Sequence, residues 1–221
     1  MENFIYVDTC ESTQDLIKEQ LKQNSFDELT VCCEHQTNGH GRGNSIWEDS
    51  PGTLCFSMTV KPHIKFTFTA LEISLLIRNF FSLKGREIKV KWPNDLITQD
   101  VKKCGGVLLQ NFEAFYLAGI GLNLFQNGDT YGGVYETSFP IAKKEWVKEL
   151  SDFIRANRYE STENLTRDWL KSCSHLNREV RIFEGVLETC GVFTGLGPYG
   201  EAVLENSQGI HHIFNGSLRL V

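Results

Sequence analysis

A lysine, a tryptophan, a proline and an Asn-Asp pair follow one another in Lys91-Trp92-Pro93-Asn94-Asp95-Leu96, at the end of the apolar-alternating run Ile88-Lys89-Val90. Proline removes a backbone donor, so the strand stops there and the Asn-Asp pair is presented at its end. In α/β proteins that is where ligands tend to bind. The same hexapeptide also reads as a plain strand-ending turn. Upstream, Gly39, Gly41 and Gly43 alternate with His40, Arg42 and Asn44. Alternate glycines let backbone N–H groups approach an anion, and an arginine among them can fork onto phosphate oxygens. The loop has neither the Gly-Lys-Ser/Thr of a Walker A sequence nor the GxGxxG spacing of a Rossmann turn. Downstream, Lys102-Lys103-Cys104-Gly105-Gly106 leads into Val107-Leu108-Leu109. A lysine entering a buried strand can supply fixed positive charge to a carboxylate or phosphate transition state. Gly119-Ile120-Gly121-Leu122-Asn123 ends a further run. Its glycines would let a ligand lie against the backbone, and Asn123 could join Asp95 on a metal ion. Each of these three also has a plain reading: a flexible surface loop, a solvated hairpin lysine, and a bulge with a capping asparagine.

The elements that must carry these residues follow from pattern. Phe4-Ile5-Tyr6-Val7 reads as a strand, and Ser12-Thr13-Gln14-Asp15 carries the N-terminal signature of a helix containing Leu16, Ile17 and Leu21. Leu29 to Cys33 and Leu54 to Val60 read as strands, and Phe66 to Leu83 as a buried helix. Ile88 to Trp92 and Leu96 to Thr98 flank the Asn-Asp step. Gly106 to Gln110 and Phe115 to Ile120 are two more strands, with a tight turn at Asn111-Phe112-Glu113-Ala114. Gln126 to Ser138 has turn composition and no period, which predicts a mobile loop. Trp146, Leu150, Phe153 and Ile154 share one helix face, and Leu165 to Leu170 predicts another helix. Beyond Asn177, short alternating runs separated by Gly- and Asn-rich turns predict a small antiparallel barrel, with Asn215-Gly216 as a hairpin corner. The division therefore falls between residues 1–176 and 177–221.

Composition narrows the class. At 221 residues, 41% hydrophobic and 23% charged, the chain suits one good-sized domain with a small appendage. A net charge of −6 argues against general affinity for nucleic acid or anionic membranes. The N-terminus lacks a basic and apolar leader, and no apolar run approaches the length of a membrane span. Seven cysteines, an odd number without a CxxC pair, predict reduced thiols in a cytoplasmic protein. Cys104 has no activating base beside it in sequence.

Taken in order, Ser12-Thr13, Gln36-x-x-Gly39-x-Gly41-Arg42-Gly43, Trp47, Lys91-Trp-Pro-Asn94-Asp95, Lys103-x-x-Gly106 and Gly119-x-Gly121-x-Asn123 resemble the biotin protein ligases. The match runs from about residue 4 to 124, and the C-terminal β unit fits the same family's barrel. The resemblance implies an α+β fold: a central mixed β-sheet flanked by helices, akin to class II synthetase cores, with a small C-terminal SH3-like β-barrel. It implies a two-step reaction, in which biotin and ATP give biotinyl-adenylate, and the biotin then passes to one lysine of a biotin carboxyl carrier protein or domain of a biotin-dependent carboxylase. Lys103 and Arg42 are the implied catalytic residues. Ser12, Thr13, Gln36, Gly39, His40, Arg42, Lys103, Gly106, Gly119 and Gly121 are the implied biotin contacts. Arg42, Trp47, Asn94, Lys103 and Asn123 would serve ATP, and Asp95 with Asn123 would hold Mg²⁺. The 126–138 loop would close on the adenine.

Departures from that family's pattern sharpen the expectations. His40 stands where arginine is usual, Asn44 and Ser45 replace frequent basic residues, and Gln110 stands where an acid is frequent. The charge facing pyrophosphate is thus reduced, and a histidine regains it only on protonation. The hairpin before the lysine is one residue longer, so Lys102 competes with Lys103; the spacing to Gly106 favours Lys103. Many relatives carry a winged helix that represses biotin genes. Here the ligase-like sequence starts at Phe4, leaving no room for one, and no operator binding is expected. Lipoate ligases or octanoyl transferases of the same core fold are the main alternative, and a non-catalytic biotin-binding or carrier-interaction module is a third reading. The sequence leaves open whether the chain acts as a monomer or a homodimer.

Overall fold

Ser12 folds the first helix. Its hydroxyl accepts from the Gln14 backbone N–H at 3.2 Å, which caps the N-terminus of α1 (Thr13–Gln23) directly after β1 (Phe4–Cys10). β2 (Thr30–Gln36) returns parallel to β1, and the hairpin strands β3 (Gly39–His40) and β4 (Ile46–Trp47) form a separate two-stranded ribbon. All eight residues of β5 (Thr53–Val60) are buried. A short 3₁₀ turn, Phe66–Phe68, leads into α2 (Thr69–Leu83). Then come β6 (Lys89–Lys91), β7 (Asp95–Ile97), β8 (Lys103–Phe112), β9 (Phe115–Asn123), α3 (Lys143–Ala156) and α4 (Thr162–Ser172). The C-terminal strands are β10 (Glu179–Glu184), β11 (Leu187–Leu196), β12 (Ala202–Asn206), β13 (Gly209–Ile213) and β14 (Ser217–Leu220). This computed structural model describes residues 3–43, 45–113, 115–126, 128–140 and 142–221.

The main sheet runs β1-β2-β5-β9-β8-β7-β6, parallel at its first pair and antiparallel elsewhere. It is the expected central mixed sheet with flanking helices. α1 seals one face through Ile17 against Leu29, Val31 and Leu117. α2 covers the other, with Leu75, Ile77 and Phe81 buried in the large core. The carboxylate of Glu72 is fully buried on α2, where Arg158 grips it bidentately at 2.6 and 2.9 Å and the Tyr159 N–H donates at 2.7 Å. A buried charge demands such complete pairing, and the pairing ties α2 to the α3–α4 connection. The C-terminal strands form one five-stranded antiparallel sheet, β13-β12-β11-β10-β14, consistent with an SH3-like domain. Its inward residues Val180, Ile182 and Phe193 join the same apolar cluster as α2.

Four expectations are corrected. Asn215-Gly216 is not a hairpin corner: β13 and β14 lie at opposite edges of their sheet, and β14 pairs with β10. The pair turns the chain across the sheet instead. The 126–138 segment is anchored rather than free among its described residues, with Asn127 outside them. Gly132 N–H donates to Lys103 O at 2.9 Å, Val134 to Asn123 O at 3.1 Å and Tyr135 to Leu124 O at 2.8 Å. Tyr135 also packs edge-on against Phe139 and Trp146, with centroids 5.0 and 6.1 Å away, so aromatic burial offsets the entropy of ordering a glycine-rich loop. The β8–β9 turn is tighter than the four residues expected, because Asn111 pairs with Tyr116 and Phe112 with Phe115; Ala114 lies outside the described residues. Finally, Phe66–Leu83 is 18 residues long and apolar enough to span a bilayer by composition. Most of it is buried in this protein, the behaviour of a core helix.

Candidate active site

The glycines that looked like ligand platforms instead receive the protein's own side chains. A Cβ at Gly121 would collide with the Trp47 ring, and one at Gly119 would sit 2.8 Å from Gln14 Nε2. The hairpin β3–β4 is thereby pegged onto β9, and α1 onto the same strand two residues earlier. Between these elements and β8 opens a cavity of about 420 Å³.

One end of the cavity is neutral and polar. Gln36 Oε1 accepts from the Thr13 backbone N–H at 2.9 Å and from its hydroxyl at 3.2 Å. Ser57 Oγ donates to Thr13 Oγ1 at 2.9 Å, and Asp49 holds the Gln36 N–H at 2.9 Å. Gln14 Nε2 donates to Leu108 O at 3.1 Å, while its buried Oε1 has no partner. A buried acceptor without a donor is unfavourable unless a ligand supplies one. This end therefore suits a neutral group rich in N–H donors.

The other end is cationic. Lys103 Nζ lies 2.7 Å from Asp95 Oδ1, and Lys91 Nζ lies 3.7 Å from Asp95 Oδ2. Arg42 Nη1 donates to Asn94 Oδ1 at 3.0 Å, and Nη2 donates to the Gly216 carbonyl. Asn94 Nδ2 is held in turn by Val107 O at 2.6 Å. Burial lowers the Arg42 guanidinium from its usual value, with Asp95 opposing. Burial likewise lowers the Lys91 ammonium, Asp95 opposes, and Lys103 and Arg42 repel it. Three cations thus surround one carboxylate, an excess of positive charge that an anion would relieve. Trp47 lies beside them, with Lys103 Nζ 5.8 Å from its ring centre.

Of the residues expected from sequence, Ser12, Thr13, Gln36, His40, Arg42, Trp47, Asn94, Asp95, Lys103, Gly106, Gly119, Gly121 and Asn123 all line this cavity. Gly39 does not; it faces a shallower cleft behind the hairpin, together with Lys18 and Gln110. Lys102 stays outside, pairing with Asp100 at 3.9 Å. A bulge between Leu96 and Ile97 shifts the β7–β8 register, so Ile97 faces Lys103 while Asp95 faces Gly106. That local irregularity points Lys103 at Asp95. His40 turns toward α1, its Nε2 2.6 Å from Asp15 Oδ2. Cys104 is buried, and burial pushes its thiol up to about 12, which removes it as a nucleophile. All seven cysteines are free.

Among the described residues no group of three His, Cys, Asp or Glu side chains could cage a metal ion. Asp95 and Asn123 offer one carboxylate and one amide oxygen, the latter already accepting from Thr53 Oγ1 at 2.9 Å. Such a donor set fits Mg²⁺ carried mainly by substrate phosphates and water.

Sequence reasoning missed several cavity residues: Gln14, Tyr131, Ser217 and Leu218. Gln14 was hidden inside a helix-cap pattern. Ser217 and Leu218 had no local signal, because only the packing of the C-terminal sheet brings them there. Trp92 donates its indole N–H to Gly200 O at 3.1 Å and so fastens that sheet to the motif.

Residues 6–120 match the model of the biotin/lipoate A/B protein ligase family. The chain is 24% identical to the bifunctional ligase/repressor BirA of Bacillus spizizenii over 99% of its own length and 74% of that protein. It is 31% identical to the human biotin–protein ligase over 116 residues, 46% of this chain and 16% of the human protein. Its backbone superposes on the Aquifex aeolicus biotin protein ligase solved with biotin and ATP at a TM-score of 0.82, with 25% identity and complete coverage of both chains.

Proposed function

Because the chain belongs to the biotin/lipoate A/B protein ligase family, we propose that it is an ATP-dependent biotin protein ligase acting on a biotin carboxyl carrier protein. The observation that carries this reading is the joining of two unlike ends in one cavity. A neutral pocket built from Thr13, Gln36 and Gln14 meets a cationic end built from Lys103 and Arg42, with Lys91 behind them on Asp95. Biotin has that duality: a neutral ureido ring with N–H donors and a carboxylate tail.

In the first step the biotin carboxylate attacks the α-phosphorus of ATP, forming the mixed anhydride and expelling pyrophosphate. Bringing two anions together is the main barrier, so neutralisation and alignment contribute most. Lys103 contacts the carboxylate and the α-phosphoryl oxygens, exchanging part of its pairing with Asp95 for them. Arg42 holds phosphate, and Asn94 keeps its guanidinium in plane. Trp47 offers a flat face to the nucleotide. When bound, Mg²⁺ would be held by Asp95 and Asn123 and would screen the phosphate charge. In the second step the carrier lysine amine attacks the acyl carbonyl and AMP leaves. Water would do the same, so the hairpin and the 126–138 segment act as covers. We further place the division between the catalytic part and the C-terminal domain at residues 1–176 and 177–221. Seven free thiols fit a reducing, cytoplasmic setting.

Incubation with labelled biotin, lipoate or octanoate, each with ATP and a carrier domain, tests the proposal. Label from biotin alone should reach the carrier. Transfer of lipoate or octanoate without biotin would overturn it.

A further inference from the structure

The backbone of the glycine-rich hairpin offers little to order it. Its strands contribute two residue pairs, Gly39 with Trp47 and His40 with Ile46. At the tip, Gly41 N–H donates to Ser45 O at 2.8 Å and Ser45 Oγ to Arg42 O at 2.8 Å; Asn44 lies outside the described residues. So short a ribbon is not stable alone. Something must hold it across the cavity. On one side Arg42 reaches Asn94 and Gly216. On the other, among the described residues, His40 Nε2 meets Asp15 Oδ2 at 2.6 Å in the first turn of α1, while Trp47 packs on Gly121 at the base of the hairpin.

We infer that Asp15 is a positioning residue: by clasping His40 it fixes the glycine-rich hairpin over the cavity, and so governs how long an activated acyl group stays sheltered from water. The retention half of this statement rests on the proposed ligase reading; the clasp itself does not. Asp15 Oδ1 also meets Lys18 Nζ at 3.2 Å, so the two carboxylate oxygens hold one partner each. Burial pushes the Asp15 carboxyl up, but the bonds from His40 and Lys18 outweigh it and hold it below its ordinary value. The facing polar group from the sheet is Gln110, which bears no charge. His40 therefore turns its ring nitrogen from the phosphate end toward the helix, and the loop gains rigidity in place of an anion contact.

Two measurements test this. In amide hydrogen exchange on the ligand-free protein, Asp15→Asn should speed exchange at Gly41 and Ser45 about fivefold, the size expected of a partly exposed charged pair. Asp15→Glu should restore most of the protection, and Lys18→Ala should leave it unchanged. Asp15→Asn combined with His40→Ala should be no worse than either alone. In a chase experiment with preformed biotinyl-adenylate, Asp15→Asn should raise its escape by a similar factor while leaving the affinity for biotin nearly unchanged. Unchanged exchange in Asp15→Asn, or additive effects in the double variant, would overturn the clasp. A loosened hairpin in a protein that makes no adenylate would retain the clasp and sink the ligase reading. Faster exchange without faster escape would remove its role in retention.

Discussion

Removing the Lys103 ammonium should slow adenylate formation far more than it weakens the fold. At about 4 Å an ammonium and a phosphoryl charge attract by about 4 kcal/mol at an effective dielectric near 20. Asp95, 2.7 Å away, already takes part of that charge, and the Lys103 side chain is 38% exposed. Screening and this competition leave about 2–3 kcal/mol for the transition state, or about a 30- to 150-fold loss in rate. Stability should change by no more than about 1 kcal/mol, since exposed ion pairs contribute little and Asp95 keeps Lys91 at 3.7 Å. The assay is single-turnover pyrophosphate release at saturating biotin and ATP for Lys103→Ala, beside its thermal midpoint. Lys102→Ala is the control, because that ammonium pairs with Asp100 outside the cavity. A Lys103→Ala rate within threefold of the parent would refute the reasoning, as would an equal loss in Lys102→Ala.

Gly121→Ala should displace the Trp47 ring, costing about 1–3 kcal/mol of stability and weakening nucleotide binding more than biotin binding; calorimetric titration with each ligand checks it. Glu72→Gln should lower stability by about 2–3 kcal/mol, because Arg158, only partly buried, loses the counter-charge it grips; chemical denaturation measures this, and an unchanged KM for biotin separates it from the site. Asn94→Ala should free Arg42 on its cavity side and raise the KM for ATP severalfold in steady-state assays without moving that for biotin. His175 is buried and neutral: burial first, then Lys91 and Arg178, lower its value to about 3. Because the folded value lies below the unfolded value of about 6.5, this contribution is complete above that pH and is lost progressively as pH falls toward 3. By pH 5 the loss should be about 2 kcal/mol, read as a drop in urea midpoint that His175→Gln should blunt.

Local chemistry was legible in the sequence wherever a residue acts through its own backbone neighbourhood. Ser12 announced α1, the long apolar run announced α2, and the order of Gln36, Arg42, Asp95 and Lys103 announced one cavity. What escaped depended on distant partners. Asn215-Gly216 has hairpin composition, but which strand β14 joins is decided by packing on β10. The 126–138 segment looked mobile because its glycines are visible in sequence while the aromatic contacts of Tyr135 are not. Gly119 and Gly121 were read correctly as sites of close approach, but the approaching groups are Gln14 and Trp47. His40 was expected to face phosphate; an aspartate one helical turn from Ser12 claims it instead.

The peg of Trp47 on Gly121 also makes the protein its own optical reporter. Of four tryptophans, Trp92 and Trp169 are sealed in the core at 1% and 0% exposure, and Trp146 is stacked on Phe81 at 5.9 Å. Only Trp47 belongs to the hairpin, with an ammonium 5.8 Å from its ring. Its emission should register both the seating of the hairpin and the charge beside it, while Trp92, which also lines the cavity, reports from a sealed position.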